Sequence, residues 1–421
     1  MIRYSLLSLL ICTLATPFTA VADDSYPAFN GGHAKYLFLL NTFPDDSLFQ
    51  DFVDSPAVDH NGDLRLKFDW RTDNVSIVAD YQLIAQYGDS IALANALPGA
   101  LIIPNPVPND DHRLFDLTHV ISQDDNSVLA HRLDRLFIDV TGTNVVARFG
   151  RQAVSWGNGL IYTPMDFFNP FDPAAVDKEY KTGDDMFYGQ YLQQNGNDLQ
   201  AVWVIRRDSN GDVSSVVDSV AAKYHGFIAD KEFDLLLAEH YDDTILGVGG
   251  LTDLGGAIWR GDITVTKTQT DNVTSLVTSL TYSWMGWDHN ISGILEYFYN
   301  GFGQADGDYS PTALANNPDL VKRIIRGELF TLGRHYVTAS AMIEMNPLWI
   351  LTPNVFINAS DSSFLAQLVS TYDLQQNWQL LAAISLPVGA SGTEYGGIDS
   401  GVSGKQLSTE FNLFAQLAWY F

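Results

Sequence analysis

Cysteine is almost absent from this 421-residue chain: Cys12 is the only one, so no disulfide framework is available. Long apolar runs are missing as well. After the first 22 residues, Asp, Gln, Asn, Thr or Gly interrupts every candidate before it reaches the ~18 apolar residues of a membrane-crossing helix. Positive charge is scarce, with 23 Lys+Arg against 50 Asp+Glu and a formal net charge of -27, which argues against a nucleic-acid partner. No Pro/Ser-rich linker or shift in composition divides the chain, so one continuous architecture is expected rather than two or three domains. The nine His are scattered, and neither a G-x-S-x-G nor an H-E-x-x-H element occurs. No acidic stretch has the spacing of a calcium loop. No catalytic residue, metal ligand or cofactor is therefore assigned.

Residues 1–22 carry Arg3, an apolar run over 6–14, Pro17 and Ala20, Val21 and Ala22. That is the layout of a cleavable secretory signal. Cys12 leaves with it, which removes thiol chemistry, and the loss of Arg3 makes the mature balance one unit more negative. The expected organisation is a signal peptide over 1–22 and a single body over 23–421.

The most informative stretch is 63–87. Leu64, Leu66, Phe68 and Trp70 alternate with Asp63, Arg65, Lys67, Asp69 and Arg71, which predicts a strand with one apolar and one charged face. After a turn at 72–74 the chain returns with Val75, Ile77, Ala79, Tyr81, Leu83, Ala85 and Tyr87 on one face and Ser76, Asp80, Gln82 and Gln86 on the other. Each arm of this hairpin is about ten residues or more, the length at which a tilted strand crosses a bilayer.

Taken along the chain, the same reading gives about eighteen strands. Connections after even-numbered strands are short, as at 72–74, 141–144, 346–347 and 375–377. The long ones, 43–61, 88–129 and 157–185 among them, follow odd-numbered strands. Trp70, Trp284 and Trp419 end even strands, while Trp259, Trp349 and Trp378 begin odd ones, so all six fall at one interface, where indole rings favour the headgroup region. These features predict an all-β fold, a transmembrane antiparallel β-barrel of about 18 strands with short periplasmic turns and long external loops.

The last strand alternates Phe411, Leu413, Ala415, Leu417, Trp419 and Phe421 with Glu410, Asn412, Gln416 and Tyr420. It resembles the terminal aromatic strand of Gram-negative outer-membrane barrels, which implies an integral outer-membrane location and recognition of Phe421 by the barrel-assembly machinery. The segment GRQAVSWGNG over 150–159, read as G-R-Q-x-x-x-W-G-x-G, resembles a motif of alginate-export-type and related porin-like barrels. PMDFFNPFDP over 164–173 is similar to segments of other proteobacterial barrels. Lipid, lipopolysaccharide and a small solute or oligosaccharide are the implied partners.

The expected pore-lining set is Arg65, Lys67, Asp69, Arg71, Asp80, Arg135, Asp139, Arg148 and Arg151. Strict alternation puts Arg148 and Arg151 on opposite faces, and an arginine facing lipid costs roughly 2–4 kcal/mol near the midplane. A bulge at Gly150, with Phe149, Val154 and Trp156 outward, is therefore expected; the alternative places Arg151 at the outer rim. The basic side chains either form an anion-attracting track or are neutralised by Asp69, Asp80 and Asp139, in which case the acidic mouth favours cations. Acidic residues of the long connections, including Asp110, Asp166, Asp177, Asp184 and Asp185, are expected to be solvated. The connection 88–129, through its apolar part 97–103 and with help from 157–185, is expected to constrict the lumen. The function expected is passive solute transport, anion- or oligosaccharide-selective. A polysaccharide-export or surface-anchoring partner and a barrel-embedded hydrolase are the rivals.

Overall fold

Alternation of apolar and polar residues produces strands, and long strands without a helix to cover them close on each other. The computed structural model describes residues 28–97, 107–229 and 231–421. The strands β1 to β18 are Ala28–Thr42, Ala57–Arg71, Val75–Gly88, Ser127–Thr141, Val145–Gln152, Asp184–Leu192, Asp198–Val204, Ser219–Ile228, Lys231–His240, Asp243–Leu254, Ala257–Lys267, Asn272–Gly286, His289–Tyr299, His335–Asn346, Trp349–Asn358, Ser363–Gln375, Trp378–Val388 and Phe411–Tyr420. Each pairs antiparallel with the next, and β18 pairs with β1 from His33↔Tyr420 to Thr42↔Phe411, closing an 18-strand barrel. Phe421 completes the seam: its N–H donates to the Gly32 carbonyl at 3.1 Å and its carbonyl accepts from the Gly32 N–H at 2.8 Å. The signal-peptide assignment lies outside the described residues.

Turn parity and strand number agree with the sequence. Even strands are followed by connections of two to five residues. Connections 43–56, 89–126, 153–183, 205–218, 300–334 and 389–410 all follow odd strands. The six tryptophans lie at the short-turn end, with Trp378 and Trp419 stacked at 6.1 Å.

The outward face is apolar, as Leu235, Leu237, Leu246, Val248, Ile263 and Val265 show by their exposure. The inward face is not polar throughout, contrary to simple alternation. On β6 to β10 the inward residues Met186, Val202, Val204, Ala221, Leu236, Ala238 and Ile245 are apolar and buried. Leu237 is 56% exposed while adjacent Leu236 is 4% exposed: one meets the outside of the barrel and the other an internal cover. This part of the wall is apolar on both faces because both faces are covered.

The wall has one irregular panel. β5 and β6 stop at Gln152 and Asp184, and above them a strand Thr118–Asp124 pairs with the outer half of β4 in their place. Residues 107–117 join this panel to the β7 side, where Arg113 bridges to Arg206. Helix α1, Asp89–Ala96, packs Ile91 near Val128 and Ala130. The described part of 88–129 thus builds wall and rim, and most of 97–103 lies outside the described residues. The segment that crosses the lumen is 153–183.

Candidate functional site

Residues 153–183, here called the strap, leave the wall at Gln152 and return at Asp184, which face each other in the ladder. Its first half is aromatic. Val154, Trp156, Met165, Phe167 and Phe168 pack onto the apolar inner wall of β6 to β10, where burying one such side chain is worth about 1.5–3 kcal/mol. Lys181 closes the neck, its Nζ donating to the Val154 carbonyl at 2.6 Å and to both oxygens of Asp166 at 2.6 Å. Burial pushes the Asp166 carboxyl up to about 6 in spite of this partner.

The middle of the strap is held by wall carboxylates, through backbone N–H donors. Asn158 N–H donates to Asp262 at 2.6 Å and Gly159 N–H at 3.1 Å. Leu160, Ile161 and Tyr162 donate to Glu296 at 2.9, 3.1 and 2.7 Å. Five successive amides therefore answer two carboxylates on β11 and β13, each a charge-assisted bond stronger than a neutral one. The Asn158 carboxamide adds bonds to Asp234 at 3.0 Å and Asp262 at 2.7 Å. Gly249 on β10 makes the room: a Cβ there would lie 2.1 Å from Asp262 Oδ1 and 2.7 Å from Asn158 Nδ2.

The far end reaches the opposite wall. Lys35 on β1 pairs with Asp177 and Glu179, both at 2.7 Å. Gln416 on β18 donates to Asp177 at 3.0 Å, and Gln367 on β16 donates to the Ala174 carbonyl at 2.9 Å. Tyr180 lies under the Arg65 guanidinium at 3.9 Å, with Lys67 at 4.9 Å. Docked on β9, β11 and β13 on one side and on β1, β2, β16 and β18 on the other, the strap spans the lumen.

The nine sequence-predicted residues separate into groups. Arg65, Asp80 and Arg135 meet in one network around Asp134: Arg65 at 2.7 Å, Arg135 at 3.0 Å and Arg132 at 3.2 Å from Asp134, with Asp80 3.9 Å from Arg65. Asp134 was missed because a register shift between Asp80 and Tyr81 places both Asp134 and Arg135 inward. Arg71 pairs with Asp69 at 2.6 Å near the short-turn mouth. Arg148 pairs with Asp139 at 2.6 Å. Lys67 contacts the Tyr180 ring and forms no ion pair within 4.0 Å among the described residues.

Arg151 is enclosed in the wall, at 1% exposure. It pairs with Asp185 and Asp110, both at 2.9 Å, and donates to the Phe115 carbonyl at 2.7 Å. The network continues through Arg113–Asp110 at 2.6 Å and Arg206–Asp184 at 3.1 Å, fastening the irregular panel. The ladder shows no bulge at Gly150. Instead Gly150 has φ +127°, and a Cβ there would sit 2.2 Å from the Leu136 carbonyl oxygen. Phe149 stacks on exposed Phe187 at 4.2 Å, but Val154 and Trp156 turn inward because the strand ends at Gln152. The GRQ motif is the root of the strap. Asp110, Asp166, Asp177, Asp184 and Asp185 are accordingly ion-pair partners, and the expectation that they are solvated loop charge is corrected. Burial opposes ionisation of Asp110, but hydrogen bonds from Arg151 and Arg113 outweigh it and hold the carboxyl at about 2.

At the long-loop end the connections knit together. Phe302, Tyr309, Leu314, Leu320, Leu332 and Ile398 form one cluster and Phe43, Phe49, Ala57 and Leu93 another, with Leu407 touching both. Ser47 Oγ donates to the Ser408 carbonyl at 2.9 Å and Lys405 pairs with Asp51 at 2.7 Å. Inside this cap Glu394 accepts from Leu332 N–H at 2.9 Å and Asn358 at 2.7 Å. Burial raises its carboxyl from 4.5 to about 7. A raised carboxylate pKa favours the closed, protonated state at low pH, so closure is firmest below about 4.5 and weakens as pH climbs to about 7. Limited proteolysis within 389–410 is expected to be faster at pH 8 than at pH 5, and Glu394→Gln should remove the difference.

A closed 18-strand antiparallel barrel with an apolar outer band, short turns at one end and long loops at the other has the fold of outer-membrane β-barrels. No family model and no curated protein matches the chain. Among solved structures it is similar, over 93% of its length, to OccAB4 of Acinetobacter baumannii, with 9% identity, 97% of that chain and a TM-score of 0.51. It is also similar to a BenF-like porin from Pseudomonas fluorescens, with 10% identity, 97% of that chain and a TM-score of 0.50. A third is Wzi of Escherichia coli, described as a carbohydrate-binding β-barrel involved in group 1 capsule assembly, with 8% identity, 84% of that chain and a TM-score of 0.50. At such identities the likeness concerns the fold.

Proposed function

We propose that the protein is an outer-membrane channel through which small solutes pass passively alongside the strap, with cations preferred to anions. The observation that carries the selectivity is the pairing of most of the basic wall: Arg71, Arg148 and Arg151 each have an aspartate partner, and Arg65, Arg132 and Arg135 share Asp134 with Asp80 nearby, so that positive charge is left only at this cluster and at Lys67. Paired charges create little field, so the excess of 50 Asp+Glu over 23 Lys+Arg governs the mouths. The porin-like fold supports the channel reading. Ser219 Oγ lies 2.8 Å from His240 Nδ1, and His240 Nε2 lies 2.9 Å from Glu328. Ser219 and His240 are each 1% exposed and Arg206 also donates to the Ser219 hydroxyl at 2.6 Å, so this hydrogen-bonded set is sealed from solutes and no enzymatic role is proposed.

The test is the reversal potential of the purified barrel in a planar bilayer under a KCl gradient. Potassium is expected to permeate more readily than chloride. Arg148→Ser frees Asp139 and should move the potential further toward potassium. A chloride-selective pore would refute the cation preference.

The packed cap favours one rival, a barrel that binds polysaccharide at the cell surface or serves an export system. The GRQ motif's resemblance to alginate-export-type barrels supports the same rival. A folded barrel that binds saccharide at its loops and carries no current would establish it.

A further inference from the structure

We propose that the chamber between the strap root and the short-turn mouth is a binding site for a neutral hydroxylated solute, such as a mono- or disaccharide. The proposal rests on the channel reading for how the solute reaches the site. The chamber has a volume of about 350 Å³, within the range of small-molecule sites. Arg148, Ser155, Tyr188, Gln190 and Gln200 are among its lining residues. They come from β5, β6, β7 and the start of the strap, so the site exists only because the strap roofs it.

The chemistry of the lining selects the class of ligand. The ion pair of the lining is Arg148–Asp139 at 2.6 Å, so an anion finds no uncompensated cation; the Asp198 carboxylate beside it has both oxygens already accepting from Gln190 and Gln200, and the polar lining disfavours an apolar solute. What remains is a mixture of hydrogen-bond donors and acceptors held in fixed positions. Asp198 accepts from the Nε2 groups of Gln190 at 3.3 Å and Gln200 at 3.1 Å, and Gln200 Oε1 accepts from Trp156 Nε1 at 2.8 Å. Arg148 commits Nε and Nη2 to Asp139 and is flanked by the Phe137 and Tyr188 rings at 4.6 and 5.8 Å. Arg148 Nη1, the Tyr188 hydroxyl and Gln190 Oε1 carry no bond among the described residues. A polyol, whose hydroxyls each donate and accept, matches such a set. The Tyr188 ring offers the flat apolar contact that the carbon face of a sugar needs.

The test uses the full folded barrel in detergent, titrated with glucose and maltose, and in parallel with gluconate and choline as charged controls, by calorimetry. The sugars are expected to bind, and Gln190→Leu and Tyr188→Phe should each weaken binding by about tenfold, the loss of one hydrogen bond to a half-buried group. Maltose added from the short-turn side of a bilayer should interrupt the current more often than maltose added from the loop side. Binding of gluconate or choline in preference to sugar, or sugar binding that ignores both substitutions, would overturn the site. A barrel that binds sugar at these residues but never conducts would leave the site standing and remove the channel reading, whereas a conducting barrel indifferent to sugar would do the reverse.

Discussion

Replacing Arg151 with methionine is expected to cost the barrel about 3–5 kcal/mol, the price of leaving buried Asp185 without its cation and Asp110 with Arg113 alone. Asp110 and Asp185, 8% and 1% exposed, would keep their burial and lose the guanidinium that answers both. The damage should fall on the irregular panel, since Arg151 also holds the Phe115 carbonyl of the inserted segment. Lysine should not rescue it, because a point charge cannot reproduce five directed bonds to three partners. The sign with pH is defined. Asp110 is held at about 2 against an ordinary 3.8, so its contribution is present above about 3.8 and is lost as pH falls through about 2. The temperature at which the folded, compact band converts to the unfolded one on a gel should drop sharply for Arg151→Met at pH 7, and the gap from the parent should narrow at pH 3. Equal conversion temperatures at pH 7 would mean that the network contributes nothing.

The barrel itself was legible because β2, β3 and β18 each place a polar face toward the lumen and an apolar face outward, so the period of two is written in their side chains. The signal fades on β9, where Leu235, Leu236, Leu237 and Ala238 run without alternation. The inner face there is covered by protein rather than water, and one strand cannot announce its own cover. The strap carried a legible hint: Phe167, Phe168 and Phe171 among Pro164, Pro170 and Pro173 make a connection too apolar to be solvated, and the doubly apolar strands need such a cover.

The candidate site was legible as a set of residue types and not as a geometry. Arg65, Arg135 and Arg148 lie inward as alternation and a bulge allow, but their partners Asp134 and Asp139 are fixed by register. Asp110 and Asp185 reach Arg151 from segments 41 and 34 residues away, distances at which spacing carries no signal. The carboxylates of Asp262 and Glu296 were unreadable for a further reason: their partners are backbone amides, which every residue but proline possesses.

The second large effect concerns the strap. Because Gln152 and Asp184 are ladder partners, residues 153–183 can be replaced by a short Gly-rich turn that continues β5 and β6 as a hairpin. The excision exposes Met186, Val202, Leu236 and Ile245 to the lumen and costs stability, while the closed hydrogen-bond ladder of the barrel remains. With nothing crossing it, a barrel of this strand number encloses an aqueous channel, and single-channel conductance should rise at least roughly threefold. A milder variant, Asp262→Ala with Glu296→Ala, leaves five strap amides without their carboxylate acceptors and should give unsteady current between the two levels.

The measurement that bears most directly on the central claim is therefore the single-channel current of the intact barrel beside that of the strap-excised barrel, both verified as folded by heat-modifiable migration. A small steady conductance in the intact barrel and a several-fold larger one after excision is the predicted result. Silence from both folded barrels, or equal conductance in the two, would contradict a channel constricted by residues 153–183.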